Sequence, residues 1–132
     1  MKNLIQSIFY TFILAFLFQS CIEPNDNMQG NFTHSVYFYL NNPESEADRA
    51  AFEKSITKFI QSSDYVMTRY LGTPAHTPRE VVNNTWTYCL IVSFEDKEAH
   101  DKYQSEPVHK TFVEESEHLW SKVEIFDGLK TW

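Results

Sequence analysis

From Thr33 to Leu40 the chain alternates. His34, Val36, Phe38 and Leu40 fall on one face, and Ser35, Tyr37 and Tyr39 on the other. A period of two with one apolar side predicts a strand. Asn41-Asn42-Pro43 ends it, because proline brings no donor to the ladder. Glu44 to Ser62 changes period. Phe52, Ile56, Phe59 and Ile60 recur at helical spacing, Ser45 is placed to cap, and Glu46 and Asp48 stand in the first turn, where the helix dipole favours negative charge. Asp64 to Leu71 reads as a second strand, stopped by Gly72 and Pro74.

Thr73 to Thr85 carries Pro74, Pro78, Asn83 and Asn84 and reads as a loop. It is long for a small domain, and long loops are often functional. Trp86 to Phe94 is the strongest strand signal. Trp86, Tyr88, Leu90, Val92 and Phe94 occupy one face, while Cys89 and Ile91 keep the other partly apolar, as expected of a strand covered on both sides. Asp96 opens a short helix running to about Tyr103, with His100 expected on its solvent side. A third helix runs from Pro107 to Trp120, with proline tolerated in its first turn and His109, Phe112, Val113, Ser116 and Trp120 facing inward. Val123 to Asp127 is the last strand.

The order β–α–β–β–α–α–β predicts an α+β, ferredoxin-like fold: a four-stranded antiparallel sheet with its helices on one face. The opposite face would carry Tyr37, Tyr39, Val66, Tyr70, Cys89, Ile91 and Phe126. That is too much apolar surface for a monomer to leave wet. Two copies packed sheet to sheet would bury it, so a homodimer forming a dimeric α/β barrel is expected.

The first residues have a different logic. Met1-Lys2-Asn3 precedes an almost wholly apolar run from Leu4 to Phe18, which ends in Gln19-Ser20-Cys21. The run falls short of the about 20 residues of a membrane span and reads as an export signal over residues 1–20. A small residue before cysteine resembles a bacterial lipoprotein processing site, with Cys21 as the lipidated residue. Residues 21–32 are polar and glycine- and proline-containing, a tether; the domain spans 33–129 and 130–132 form a tail. The expected address is exported and membrane-anchored, on the periplasmic or cell-surface side, with the membrane contacted only through the N-terminal lipid. Cys89, mid-strand in an apolar run, reads as a small buried hydrophobe.

The 132 residues suffice for one domain, and the formal net charge is −7. Lysine and arginine form no stripe, which argues against a nucleic-acid partner, since such binding begins with phosphate neutralisation. No phosphate loop, nucleophile elbow or dinucleotide fingerprint appears. The five histidines lack the spacing of a zinc motif, and no metal or other cofactor is expected. Aromatic residues reach 16%, enough for a large apolar interior or a lined cavity. His109 is the candidate base, Tyr103 the candidate donor to a developing oxyanion, and His34 a third polar group on the same wall. Phe38, Tyr88, Phe112 and Trp120 are the candidate lining for a small, largely apolar ligand.

The wording of the chain resembles the stress-responsive α/β-barrel family, often called Dabb. The resemblance rests on His34-Ser35-Val36-Tyr37-Phe38, on Gly72 after the second strand, on Tyr103, Pro107, His109 and Phe112, and on the closing Val123-Glu124-Ile125-Phe126-Asp127. Many members have histidine just before the proline, where this chain has Glu106. The resemblance implies a dimeric barrel and no single activity. Its plant polyketide cyclases perform aldol chemistry without metal or organic cofactor, using residues that correspond to His34, Tyr103 and His109. A heme-degrading or quinone-forming monooxygenase, and a non-catalytic stress-related structural protein, stay open as alternatives.

Overall fold

A computed structural model describes residues 28–131. The expected signal, Cys21 and most of the tether lie outside them. Among the described residues the elements are β1 (Phe32–Leu40), α1 (Glu46–Ser62), β2 (Thr68–Gly72), β3 (Tyr88–Phe94), α2 (Lys97–Ser105), α3 (Pro107–Ser116), a 3-10 turn (Glu117–Leu119) and β4 (Trp120–Leu129). The strands form one antiparallel sheet in the order β2-β3-β1-β4. This is the ferredoxin-like arrangement, with each helical crossover stepping over one intervening strand.

The local chemistry of the ends explains the boundaries. Ser45 Oγ accepts from the Asp48 amide at 3.2 Å and Asp96 Oδ1 from the Ala99 amide at 2.8 Å, so α1 and α2 each start on a side-chain cap. At the entry to β1, Gly30 has φ 85°, and a Cβ there would lie 2.0 Å from the Phe94 carbonyl oxygen. Only glycine fits. The folded body therefore begins slightly before Thr33: Asn31 bonds to Phe94, and Phe32, expected in the tether, is buried on β1.

The core lies between the sheet and the helices. Val36, Phe38 and Leu40 of β1, Leu90, Val92 and Phe94 of β3, and Phe52, Ile56, Phe59 and Ile60 of α1 are all buried. Phe52 is central, with its ring within 6.2 Å of those of Phe38, Tyr88, Phe112 and Trp120.

Four expected elements shift, the last strand among them, since β4 spans Trp120–Leu129 rather than Val123 to Asp127. β2 begins at Thr68 rather than Asp64, and Val66 packs on the core instead of lying on the open face. β3 begins at Tyr88. Trp86 precedes it and turns to the open face, where its ring meets Tyr37 at 5.3 Å and its indole N–H donates to the Asn83 carbonyl. The helix expected to reach Trp120 stops at Ser116. Asn41, at the end of β1, donates to the carbonyls of His118 and Leu119. Those contacts draw the chain into the sheet, so Trp120 opens β4 opposite Leu40.

A polar cluster at the end of an aromatic cavity

Alternation sets the inner wall. His34, Val36 and Phe38 of β1 face the helices, and their cross-strand partners on β4 are Asp127, Ile125 and Val123. Residues paired this way share a face. His34 is 3% exposed, and its Nδ1 lies 2.6 Å from Asp127 Oδ1. With a carboxylate as acceptor the proton resides on Nδ1, which leaves Nε2 with the lone pair.

The helices supply the rest. His100 and Tyr103 are three apart on α2, hence on one face, and both point inward. The His100 ring stacks on Phe32 at 4.6 Å and meets His34 at 4.8 Å. Pro107 starts α3, which places His109 beside Tyr103, ring to ring at 5.1 Å; Tyr103 is 5.9 Å from His34. The three candidate groups thus converge, with Tyr103 between the two histidines. They border a cavity of about 140 Å3 lined also by Phe38, Phe112 and Trp120. Its mouth runs along β4, the edge strand, where Val123 and Ile125 are 39% and 52% exposed.

Burial is the main electrostatic influence. It holds His109 below the ordinary imidazole value, and His34 and His100 push the same way. Burial also lowers His34, against the upward pull of Asp127. Tyr103 is 1% exposed; burial, then the nearby Glu106, raises it, so it stays a neutral phenol. At neutral pH the cavity therefore offers uncharged imidazoles as acceptors and a phenol as donor. Glu106 is itself buried, and its Oε1 has no hydrogen-bond partner among the described residues.

The structure brings His34, Tyr103, His109, Phe38, Phe112 and Trp120 together, and it places Tyr88 elsewhere. The Tyr88 ring stacks on Phe52 at 4.8 Å and lies under the Arg49 guanidinium, and its hydroxyl donates to Glu53. It belongs to the α1 side of the core, because β3 is one strand farther from the cavity mouth than β1. His100 is not on the solvent side but 8% exposed and against His34. Its three-residue spacing from Tyr103 was the signal. Asp127 was detectable only once β1 and β4 were paired in register.

A family model described as the stress responsive A/B barrel domain (Dabb) matches residues 32–128, and the chain belongs to that family. No curated protein sequence matches it. Among solved structures it is similar to a Dabb family protein of ferredoxin-like fold from Mesorhizobium loti, with TM-score 0.65, 19% identity, 79% of this chain and 100% of that one covered. A dimeric protein of unknown function from Bacteroides fragilis gives TM-score 0.62 at 16% identity, covering 79% and 100%. A hydroxynitrile lyase from Passiflora edulis gives TM-score 0.66 at 12% identity, covering 77% and 94%. At these identities the likeness is one of fold.

Proposed function

We propose that the chain binds a small, largely apolar molecule bearing a carbonyl oxygen, and that His109 and Tyr103 act on it as base and donor without an organic cofactor. The observation that carries this reading is the convergence of Tyr103 with two burial-lowered histidines on one half-enclosed aromatic cavity. The cavity volume, about 140 Å3, is below the about 300–1,000 Å3 of drug-sized sites, so the ligand is small. A neutral His109 takes a proton from the carbon next to the carbonyl. The electron pair moves onto the carbonyl oxygen, and the Tyr103 phenol donates a hydrogen bond to it. Return of the proton to carbon completes an isomerisation or exchange; attack of that carbon on a second carbonyl, with the proton held by His109 passing to the alkoxide formed, would complete a cyclisation. That a hydroxynitrile lyase has a similar fold is compatible with catalysis and does not assign it.

The test is deuterium exchange at the C–H positions beside the carbonyl of phenylacetone, followed by proton NMR in D2O. Wild type is expected to accelerate exchange, His109→Ala to lose at least about tenfold of that acceleration, and Tyr103→Phe to lose a smaller share. Exchange in wild type no faster than in buffer would leave binding alone, and mass spectrometry of co-purified ligand would then decide between a binding protein and a filled structural unit. Heme is not favoured: the half-buried His109 ring is held edge-on by Phe59 at 5.2 Å and Tyr103 at 5.1 Å.

The same reading makes the working form a homodimer closed over the open face of the sheet, in line with the dimeric relatives of this fold. It places the domain outside the cytoplasm on a Cys21 lipid. Labelled palmitate incorporated by wild type and not by Cys21→Ala would support the anchor, and equal labelling would remove it.

A further inference from the structure

We propose that His34, His100 and Asp127 form a site for one divalent transition-metal ion of the zinc class, beside the cavity. The proposal is separate from the ligand reading and stands or falls on its own measurement. Two buried histidines and one half-exposed aspartate come from three different elements, β1, α2 and β4. No spacing motif in the sequence could display them. One ligand atom from each lies within 4.8 Å of the other two, so some point is within about 2.8 Å of all three, against about 2.0–2.2 Å for zinc bonds to nitrogen and carboxylate oxygen. Small side-chain movements close the difference. The Asp127 side chain is 44% exposed and has room to make them.

His100 gives an independent reason. It is buried, yet its Nδ1 has no hydrogen-bond partner among the described residues; Asp101 Oδ1, at 3.5 Å, is the carboxylate oxygen beside it. Its Nε2 lies 3.1 Å from the Gln104 amide nitrogen. An unpaired buried ring nitrogen is costly; for Nδ1 to bind a cation the ring proton must sit on Nε2, with the Gln104 amide turned so that its oxygen accepts it. Charge agrees. Among the described residues Asp127 pairs with His34, while the ion-paired lysines 58, 97, 102 and 122 engage other carboxylates. Two imidazole nitrogens and one carboxylate suit zinc or iron(II), whereas calcium and magnesium seek oxygen sets. Binding through His34 Nδ1 requires the proton between Nδ1 and Asp127 to move to Nε2, the other tautomer of the same ring. His34 also lines the cavity, so the ion would stand next to the ligand's wall.

The experiment titrates the full-length protein, purified in detergent, with zinc chloride by calorimetry in a non-chelating buffer, with stoichiometry read by native mass spectrometry. Wild type is expected to take one ion per chain. Asp127→Asn and His100→Phe should each weaken binding at least about tenfold, while His118→Ala, on the surface, should not change it. Phenylalanine can keep the stack on Phe32, and circular dichroism checks that the variant is folded. In wild type, zinc should move the NMR signals of the His34 and His100 rings, a readout that needs no variant. Absence of a stoichiometric ion, equal affinity in the cluster variants, or ring signals that stay in place would each overturn the site. Phenylacetone exchange is measured separately, so loss of that activity and loss of the metal are distinguishable.

Discussion

The two faces of this sheet have similar composition and different fates. On the helix side, Phe38, Leu90, Val92 and Phe94 are sealed under α1, α2 and α3, with Phe52 and Phe112 between them. On the other side, Tyr37, Trp86 and Phe126 form a ring cluster with centroids 5.3 and 5.9 Å apart, and Phe126 and Tyr70 are 61% and 56% exposed. Both faces arise from the same alternation. The difference is what covers them, and it separates two kinds of specification. The covered face keeps its titratable groups at one end, where the helix layer stops short of β4 and leaves a mouth. Among the described residues the open face has its rings and no helix above them, the apolar surface that the proposed second sheet would cover.

Breaking the covered face should cost most. Phe52 is fully buried and contacts four other rings. Phe52→Ala is expected to lower unfolding free energy by about 3–5 kcal/mol, the usual range for losing a core phenylalanine, measured as a fall in urea midpoint at constant slope. Breaking the open face should leave the protomer folded and undo the proposed pair. Phe126→Asp removes a ring from the middle of that surface and puts a charge where a partner sheet would press. A central anchor of this kind is worth about 2 kcal/mol or more, roughly a thirtyfold or larger rise in dimer dissociation constant by sedimentation. A wild-type protein that sediments as a monomer at every concentration would end the contrast.

A finer cut separates packing from chemistry at Tyr103. Its ring touches Phe59 and Phe94 at 5.3 and 4.8 Å, but burial and a nearby charge, not a hydrogen bond, account for its raised value. Tyr103→Phe keeps the ring and should therefore change stability by no more than about 1 kcal/mol. Its effect should appear in phenylacetone exchange instead. A large destabilisation would mean that the hydroxyl is a structural partner.

The same contrast explains what the sequence displays. Strict alternation made β1 legible, because one strand with one buried face carries its register in its own residues. The caps Ser45 and Asp96 marked helix starts, since capping is local. Thr68, Tyr88 and Ser116 as element ends were not legible: each depends on a partner elsewhere, as Asn41 taking the His118 and Leu119 carbonyls shows. The candidate site divides the same way. His34, Tyr103 and His109 could be named from their own segments, while Asp127 gains its meaning only from the strand opposite it and His100 only from the face of α2. Tyr88 failed for a related reason. Its alternation was right, but the sheet order set it one strand away from the mouth.

The smallest expected effect is the dependence of stability on pH, and it tests whether His109 is buried as a neutral ring. The titratable groups facing it are His34, His100 and Tyr103, and of these Tyr103 stays protonated throughout the range concerned. His109 in the folded protein lies below the ordinary value of 6.5. Above pH 6.5 the ring is neutral in both states and contributes no pH dependence. Below it the unfolded chain takes up a proton that the folded chain resists, so stability falls as pH falls. His34 is also held low and adds a dependence of the same sign. The carboxylates that are held low, Asp101, Glu115 and Glu124, start from ordinary values of 3.8 to 4.5 and contribute lower down. The interval from about pH 6.5 to about pH 5 therefore isolates the histidines. Urea midpoints across it should decline for wild type and decline less for His109→Leu, the residue left being His34. Equal slopes in the two proteins would place the His109 ring in water, and with it the base of the proposed chemistry.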